Sequence, residues 1–122
     1  MQYTRLYADS DGESHFEDVD IAFTTRAYAP PAPPVQVSSF TPTTQCAFIR
    51  IPVGYSSEPH PSPTRQMGFV LAGECEMTAS DGEVRRFPAG SIMLVEDTAG
   101  KGHTYRVLGN SEVLGAVVHL PG

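Results

Sequence analysis

Four histidines and two cysteines are the residues of this chain whose types and spacing bear first on chemistry. Cys46 and Cys75 show no CxxC or other ligand spacing, so they read as two buried thiols, with a disulfide between them left open. The stretch His60-Pro61-Ser62-Pro63-Thr64-Arg65-Gln66 places an imidazole, a hydroxyl and a primary amide close together. Its alternating prolines favour extended backbone, in which His60 and Ser62 face the same side. An imidazole nitrogen and an amide oxygen suit a mixed N/O site for a divalent metal, which needs one or two further ligands. His103 opens an apolar-alternating run directly after the glycine-bearing loop 98–102, and Tyr105 shares its face.

The elements that must position these groups are short strands. Eleven Gly and eleven Pro, with only 18% charged residues, leave little room for long helices in 122 residues. Apolar residues recur with period two or in short runs between turn residues. Strands are expected over Gln2–Tyr7 and Phe16–Phe23 around the Asp11-Gly12 turn, over Gln45–Pro52, and over Gln66–Ala72 and Glu74–Thr78 on either side of Gly73. Further strands are expected over Glu83–Phe87, Ser91–Val95, His103–Leu108 and Val113–Leu120. Residues 27–34, AYAPPAPP, cannot pair inside a sheet and read as an extended arm or linker. Length and pattern give one domain overall, with N-terminal strands and proline-rich arm over 1–34 and a barrel over 35–122.

The frame of turn residues resembles the paired motifs of the cupin superfamily. Gly54, His60, Ser62, Gln66 and Gly73 keep the spacing of the first motif, in which two histidines, a glutamate and a closing glycine follow the initial glycine. Gly82, Pro88, Gly90, Met93 and Asp97 keep that of the second, in which a histidine and an asparagine stand where this chain has Met93 and Asp97. The resemblance implies an all-β fold, a small double-stranded β-helix or jelly-roll-like barrel with an N-terminal strand and proline arm. It also implies that His60 and Gln66 face the barrel interior. Of the family's metal-binding positions only His60 keeps its residue, so His103 is the expected third ligand, filling in space the position that Met93 vacates.

The expected metal set is therefore His60, Gln66 and His103, with Ser62, Met93, Tyr105 and His119 lining the pocket. Glu58 and Asp97 are the candidate general bases, although Glu58 also suits a solvated loop and Asp97 an Asx-turn cap. Arg65 could pair an anionic substrate or simply lie exposed. The chemistry this implies is a metal-dependent enzyme that polarises a carbonyl of a small, partly apolar oxygenated metabolite, in the manner of an isomerase, cyclase or lyase. The alternatives are a metal-free small-molecule-binding cupin, as sensor or carrier, and a cupin dioxygenase. A divalent metal is the expected cofactor, and no nucleotide or organic cofactor is expected.

The net charge of −6 and the scattered Lys and Arg disfavour nucleic acid and anionic membrane as partners. The acidic start, with no apolar run of leader or membrane-spanning length, points to a cytoplasmic protein. Open sheet edges favour a homodimer, with the proline arm reaching a neighbour's sheet.

Overall fold

The computed structural model describes all 122 residues as eleven strands without a helix. In chain order these are β1 (Gln2–Ala8), β2 (Ser14–Asp20), β3 (Thr24–Arg26), β4 (Val35–Val37), β5 (Gln45–Ile51), β6 (Gln66–Ala72), β7 (Glu74–Ala79), β8 (Val84–Pro88), β9 (Ile92–Val95), β10 (His103–Val107) and β11 (Val113–His119). They form a six-stranded sheet in the order β2-β1-β9-β6-β11-β5, a three-stranded sheet β10-β7-β8, and the separate hairpin β3-β4.

Strict alternation builds the core between the two larger sheets. Along β7, Cys75, Met77 and Ala79 are buried while the residues between them are half-buried, the signature of a strand with one apolar face. Met93 and Val95 on β9 and Leu6, Phe16, Val70, Phe87, Val107 and Val113 complete the cluster. β1 pairs in parallel with β9 and antiparallel with β2, so the N-terminal strands are integral to the large sheet. Burying Leu6, only 1% exposed, contributes about 1.5–3 kcal/mol.

The connection between β6 and β7 requires glycine. Gly73 has φ of +80°, and a Cβ there would collide with the backbone carbonyl of Glu112. The chain thereby turns out of the large sheet into the small one. Residues 27–34 stay outside every ladder, as the sequence suggested. They are the connection of a short hairpin, because the unprolinated flanks Thr24–Arg26 and Val35–Val37 pair with each other. The second N-terminal strand runs Ser14–Asp20 rather than Phe16–Phe23, because the buried Ser14 is locked by reciprocal bonds between its backbone N–H and the Ser80 hydroxyl, and between its hydroxyl and the Ser80 N–H, each 2.7 Å.

Candidate functional site

A cavity of about 210 Å³ opens between the two sheets, and twelve of its nineteen lining residues are hydrophobic. Ile49, Ile51, Val70, Met77, Met93, Val95 and Val113 supply most of that wall, and His60, Ser62, Gln66, His103, Tyr55 and Tyr105 the polar groups. This composition accepts a small, partly apolar molecule oriented by a few polar contacts.

The two histidines face each other. His60 and His103 exchange both backbone hydrogen bonds, each 3.0 Å, across an isolated antiparallel bridge. Their ring centroids stand 4.9 Å apart. Gly102 makes this approach possible: at φ +73° it presses on the backbone of His60 and Pro61, where a Cβ would overlap the His60 carbonyl. The buried Ser14 hydroxyl donates to the Gly102 carbonyl at 2.7 Å and fixes the loop from beneath.

Each ring is anchored through Nδ1. The His60 Nδ1–H donates to the Glu58 carbonyl at 2.9 Å, and the His103 Nδ1–H to Asp97 Oδ2 at 2.6 Å. Both acceptors call for a proton on Nδ1, and neither Nε2 bonds to the protein. Gln66 donates through Nε2 to the Ser62 hydroxyl at 3.2 Å, and that hydroxyl donates to the Thr64 carbonyl at 2.7 Å. The amide oxygen of Gln66 is thus left uncommitted.

Imidazole nitrogens and an amide oxygen are donor types that a divalent metal accepts. Two imidazoles sharing a tetrahedral ion through Nε2 hold their ring centroids about 5 Å apart, close to the separation found. No group of three or more His, Cys, Asp or Glu side chains comes together, so a metal here would rest on His60, His103 and the neutral oxygen of Gln66.

Asp97 lies behind His103 and not on the cavity wall. It is fully buried, and its Oδ1 has no hydrogen-bond partner. The carboxylate touches the cavity wall only through the His103 imidazole. The Glu58 side chain is exposed and off the wall, its carbonyl orienting His60 in its place. Of the expected lining residues, Ser62, Met93 and Tyr105 are on the wall and His119 is not. His119 shares the parity of Val113, Gly115 and Val117, but the cavity ends at Val117, one pleat before it.

Met93 is buried opposite Gly68, whose missing side chain leaves room for the thioether. The Tyr105 phenol meets the Cys75 thiol, and burial, then that hydrogen bond, push it well above the usual tyrosine range. Burial likewise raises the Cys75 thiol. Both cysteines are free, Cys46 being exposed on β5. Arg65 is committed elsewhere, to Glu96 at 2.8 Å and the Pro121 carbonyl at 2.7 Å. Burial disfavours ionisation of Glu96, but hydrogen bonds from Arg5 and Arg65 outweigh it and hold the carboxyl below its ordinary range. The Glu96 ion pairs brace the chain next to Asp97. Their partners lie on β1 and before β6, so sequence patterning could not have found them.

A family profile described as a cupin domain matches residues 47–119. The chain belongs to the cupin family, and its fold is the small all-β cupin barrel. No curated protein matches it. Among solved structures, it is similar to a cupin 2 conserved barrel domain protein from Salinispora arenicola CNS-205, at 15% identity over 84% of this chain and 76% of that one, with a TM-score of 0.54. It is also similar to the cupin domain of Schizosaccharomyces pombe Cnp3, at 14% identity over 98% and 84%, with a TM-score of 0.52. A conserved protein of unknown function from Streptococcus pyogenes aligns at 25% identity over 63% of this chain, with a TM-score of 0.49, and this chain spans 64% of that protein's length, less than two thirds. The likenesses to the first two concern the barrel alone. No helix is long and apolar enough to cross a membrane.

Proposed function

We propose that this cupin is a metal-dependent enzyme of the isomerase, cyclase or lyase type, acting on a small, partly apolar oxygenated metabolite. The observation that carries the reading is the pair of facing imidazoles, each tied at Nδ1 and each with a free Nε2. His60, His103 and the Gln66 oxygen would hold the ion. Bound there, a divalent metal supplies Lewis-acid polarisation of a carbonyl oxygen, and a neutral amide ligand leaves more of its charge for that task than a glutamate would.

The rest falls to the chain's own residues. The apolar wall from Met77, Met93, Val95 and Ile51 excludes water and takes the substrate's hydrocarbon part. Asp97 fixes the tautomer and orientation of His103 from behind. Ser62 holds the Gln66 amide with its oxygen free. Tyr105 presents a phenol kept in its neutral, hydrogen-bonding form.

The test is elemental analysis of protein purified without an affinity tag, followed by reconstitution. Near-stoichiometric metal that falls in His60→Ala and in His103→Ala supports the reading. Less than roughly a tenth of an equivalent, with no uptake on reconstitution, removes it.

A second reading, a metal-free binding protein acting as sensor or carrier, draws on the lack of any three-residue cluster of strong ligands and on Met93 in the wall. Ligand affinity unchanged in both histidine variants, with no metal bound, would favour it.

A further inference from the structure

Three turns meet at the loop that delivers His103 to the cavity. They are the β1–β2 turn (residues 9–13), the β7–β8 turn (residues 80–83) and the loop 98–102 itself. The reciprocal bonds between Ser14 and Ser80 join the first two, and the Ser80 hydroxyl goes on to donate to Glu13 Oε2 at 2.9 Å. The first turn also grips the loop. The Lys101 N–H donates to the Gly12 carbonyl at 2.8 Å, the Lys101 ammonium pairs with Glu13 at 2.7 Å, and Gly12 approaches Gly100 so closely that a Cβ on Gly100 would overlap it. With the Ser14 hydroxyl on the Gly102 carbonyl, the residue before His103 is fixed by the N-terminal hairpin.

His15 closes this assembly from outside. Its Nε2 lies 2.7 Å from Asp9 Oδ2 and its Nδ1 2.9 Å from Asp81 Oδ2. A carboxylate only accepts, so both contacts are hydrogen bonds only when both ring nitrogens carry protons. A neutral ring has one N–H and turns a lone pair on the other carboxylate. Each carboxylate is also built into its turn: Asp9 Oδ1 accepts the backbone N–H groups of Asp11 and Glu13, and Asp81 Oδ1 accepts that of Glu83. The imidazolium therefore ties one turn to the other, and the bond to Asp9 is the chief reason why its pKa is raised.

The surrounding charges leave this arrangement to His15. Its own hairpin adds Asp11, Glu13 and the Tyr7 ring, 5.6 Å away between centroids. The β7–β8 hairpin adds Glu83 and Arg85, and the loop adds Lys101. Arg85 is bonded to Glu83 and Asp18, and Lys101 to Glu13, so neither cation bonds the two carboxylates that hold the ring.

We propose that His15 is a proton-operated latch on the candidate site: as an imidazolium it ties the β1–β2 turn to the β7–β8 turn and steadies the loop carrying His103, and on losing a proton to solvent it releases one carboxylate and loosens that loop. The folded pKa lies above the unfolded one, so the latch is closed below about pH 6.5 and opens as pH rises through the folded value. Its consequence for metal binding rests on the reading of His60 and His103 as ligands; the latch itself does not.

Backbone amide exchange followed by NMR on the metal-free full chain, corrected for the intrinsic pH dependence of exchange, tests the latch. In the wild type the Ser14, Ser80 and Lys101 amides should lose about three- to tenfold in protection between about pH 5.5 and about pH 8.5. His15→Gln should show the lower protection throughout. Asp81→Asn should hold its protection as the pH rises, because its Nδ2–H can donate to the lone pair of a neutral His15 while Oδ1 keeps the Glu83 N–H. Zinc competition against a chromogenic chelator reads the effect on the site. The ratio of wild-type to His15→Gln affinity should be about threefold near about pH 6 and approach unity above about pH 8, with protonation of the ligands cancelling in the ratio. Wild-type protection that does not change with pH, or the same pH dependence in His15→Gln, overturns the latch. Protection that falls in Asp81→Asn as it does in the wild type overturns the two-carboxylate mechanism. An affinity ratio of unity at every pH overturns control of the site. Absence of zinc binding in all three proteins overturns the metal reading instead, and exchange alone then decides the latch.

Discussion

Replacing Asp97 by Asn separates a residue that serves the site from one that serves the fold. The carboxylate is fully buried, makes one 2.6 Å bond to His103 and leaves Oδ1 without a partner. A hydrogen bond involving a charged group contributes about 1.5–3 kcal/mol, and a neutral replacement about 0.5–1.5, so the exchange costs about 1 kcal/mol in bonding. Against this stands the cost of keeping a carboxylate out of water, several kcal/mol even after relaxation, which the single bond offsets only in part. The second effect wins, and Asp97→Asn should melt at or above the wild-type temperature, higher by a few degrees where the gain reaches about 1 kcal/mol. Metal affinity should fall about 10- to 100-fold, because the amide is a weaker partner for the His103 Nδ1–H and lowers the basicity of the imidazole. Thermal unfolding followed by circular dichroism, with competition for zinc against a chromogenic chelator, reads both quantities. A variant destabilised by more than about 2 kcal/mol with unchanged metal affinity would refute this reasoning and make Asp97 a structural residue.

Gly102→Ala should destabilise the protein by about 1–3 kcal/mol, from strain at positive φ together with overlap on the His60 backbone, and should weaken metal binding by separating the two rings; denaturant unfolding and chelator competition check this. Met93→His restores a family ligand opposite Gly68, where room exists, and should tighten zinc binding by completing a three-imidazole set, read in the same competition. His15 bonds Asp9 through Nε2 at 2.7 Å and Asp81 through Nδ1 at 2.9 Å, and the Asp9 bond first, opposed by desolvation and aided by Asp81, raises its pKa from 6.5. With the folded value above the unfolded one, its stabilisation is full below about pH 6.5 and is lost as pH rises through the folded value. Melting temperatures should fall across that window in wild type and flatten in His15→Ala. Glu96 has the opposite sign: its depressed pKa stabilises above the unfolded value near 4.5 and is lost as pH falls through the folded one, so Glu96→Gln should reduce acid sensitivity in the same melts.

The barrel was legible in the sequence because its turn residues are physically obligatory. Gly73 sits where the chain leaves one sheet for the other and no side chain fits, so its spacing from Gly54 and Gly82 survives although most ligand positions have changed. The resemblance turned His60 and Gln66 inward and alternation put Tyr105 on the face of His103, and all four residues line the cavity, because strand parity is local information. The coupling of Asp97 to His103 was not legible. Parity gives the face of a residue within a strand, whereas Asp97 lies past the end of β9 and meets His103 across a loop whose path depends on Gly102, Ser14 and Ser80. Parity could not place His119, since it does not say where along a strand a cavity ends. The hairpin β3–β4 escaped notice because prolines dominate its connection and its strands are only three residues long.

The central claim is that His60 and His103 present their Nε2 atoms to one ion. Anomalous diffraction at the metal edge, from crystals grown with one equivalent of zinc or cobalt, tests it most directly. The account predicts a single strong peak between the two Nε2 atoms, with the Gln66 amide oxygen in its coordination sphere. No peak there, or occupancy only at His15 or His119, would contradict it.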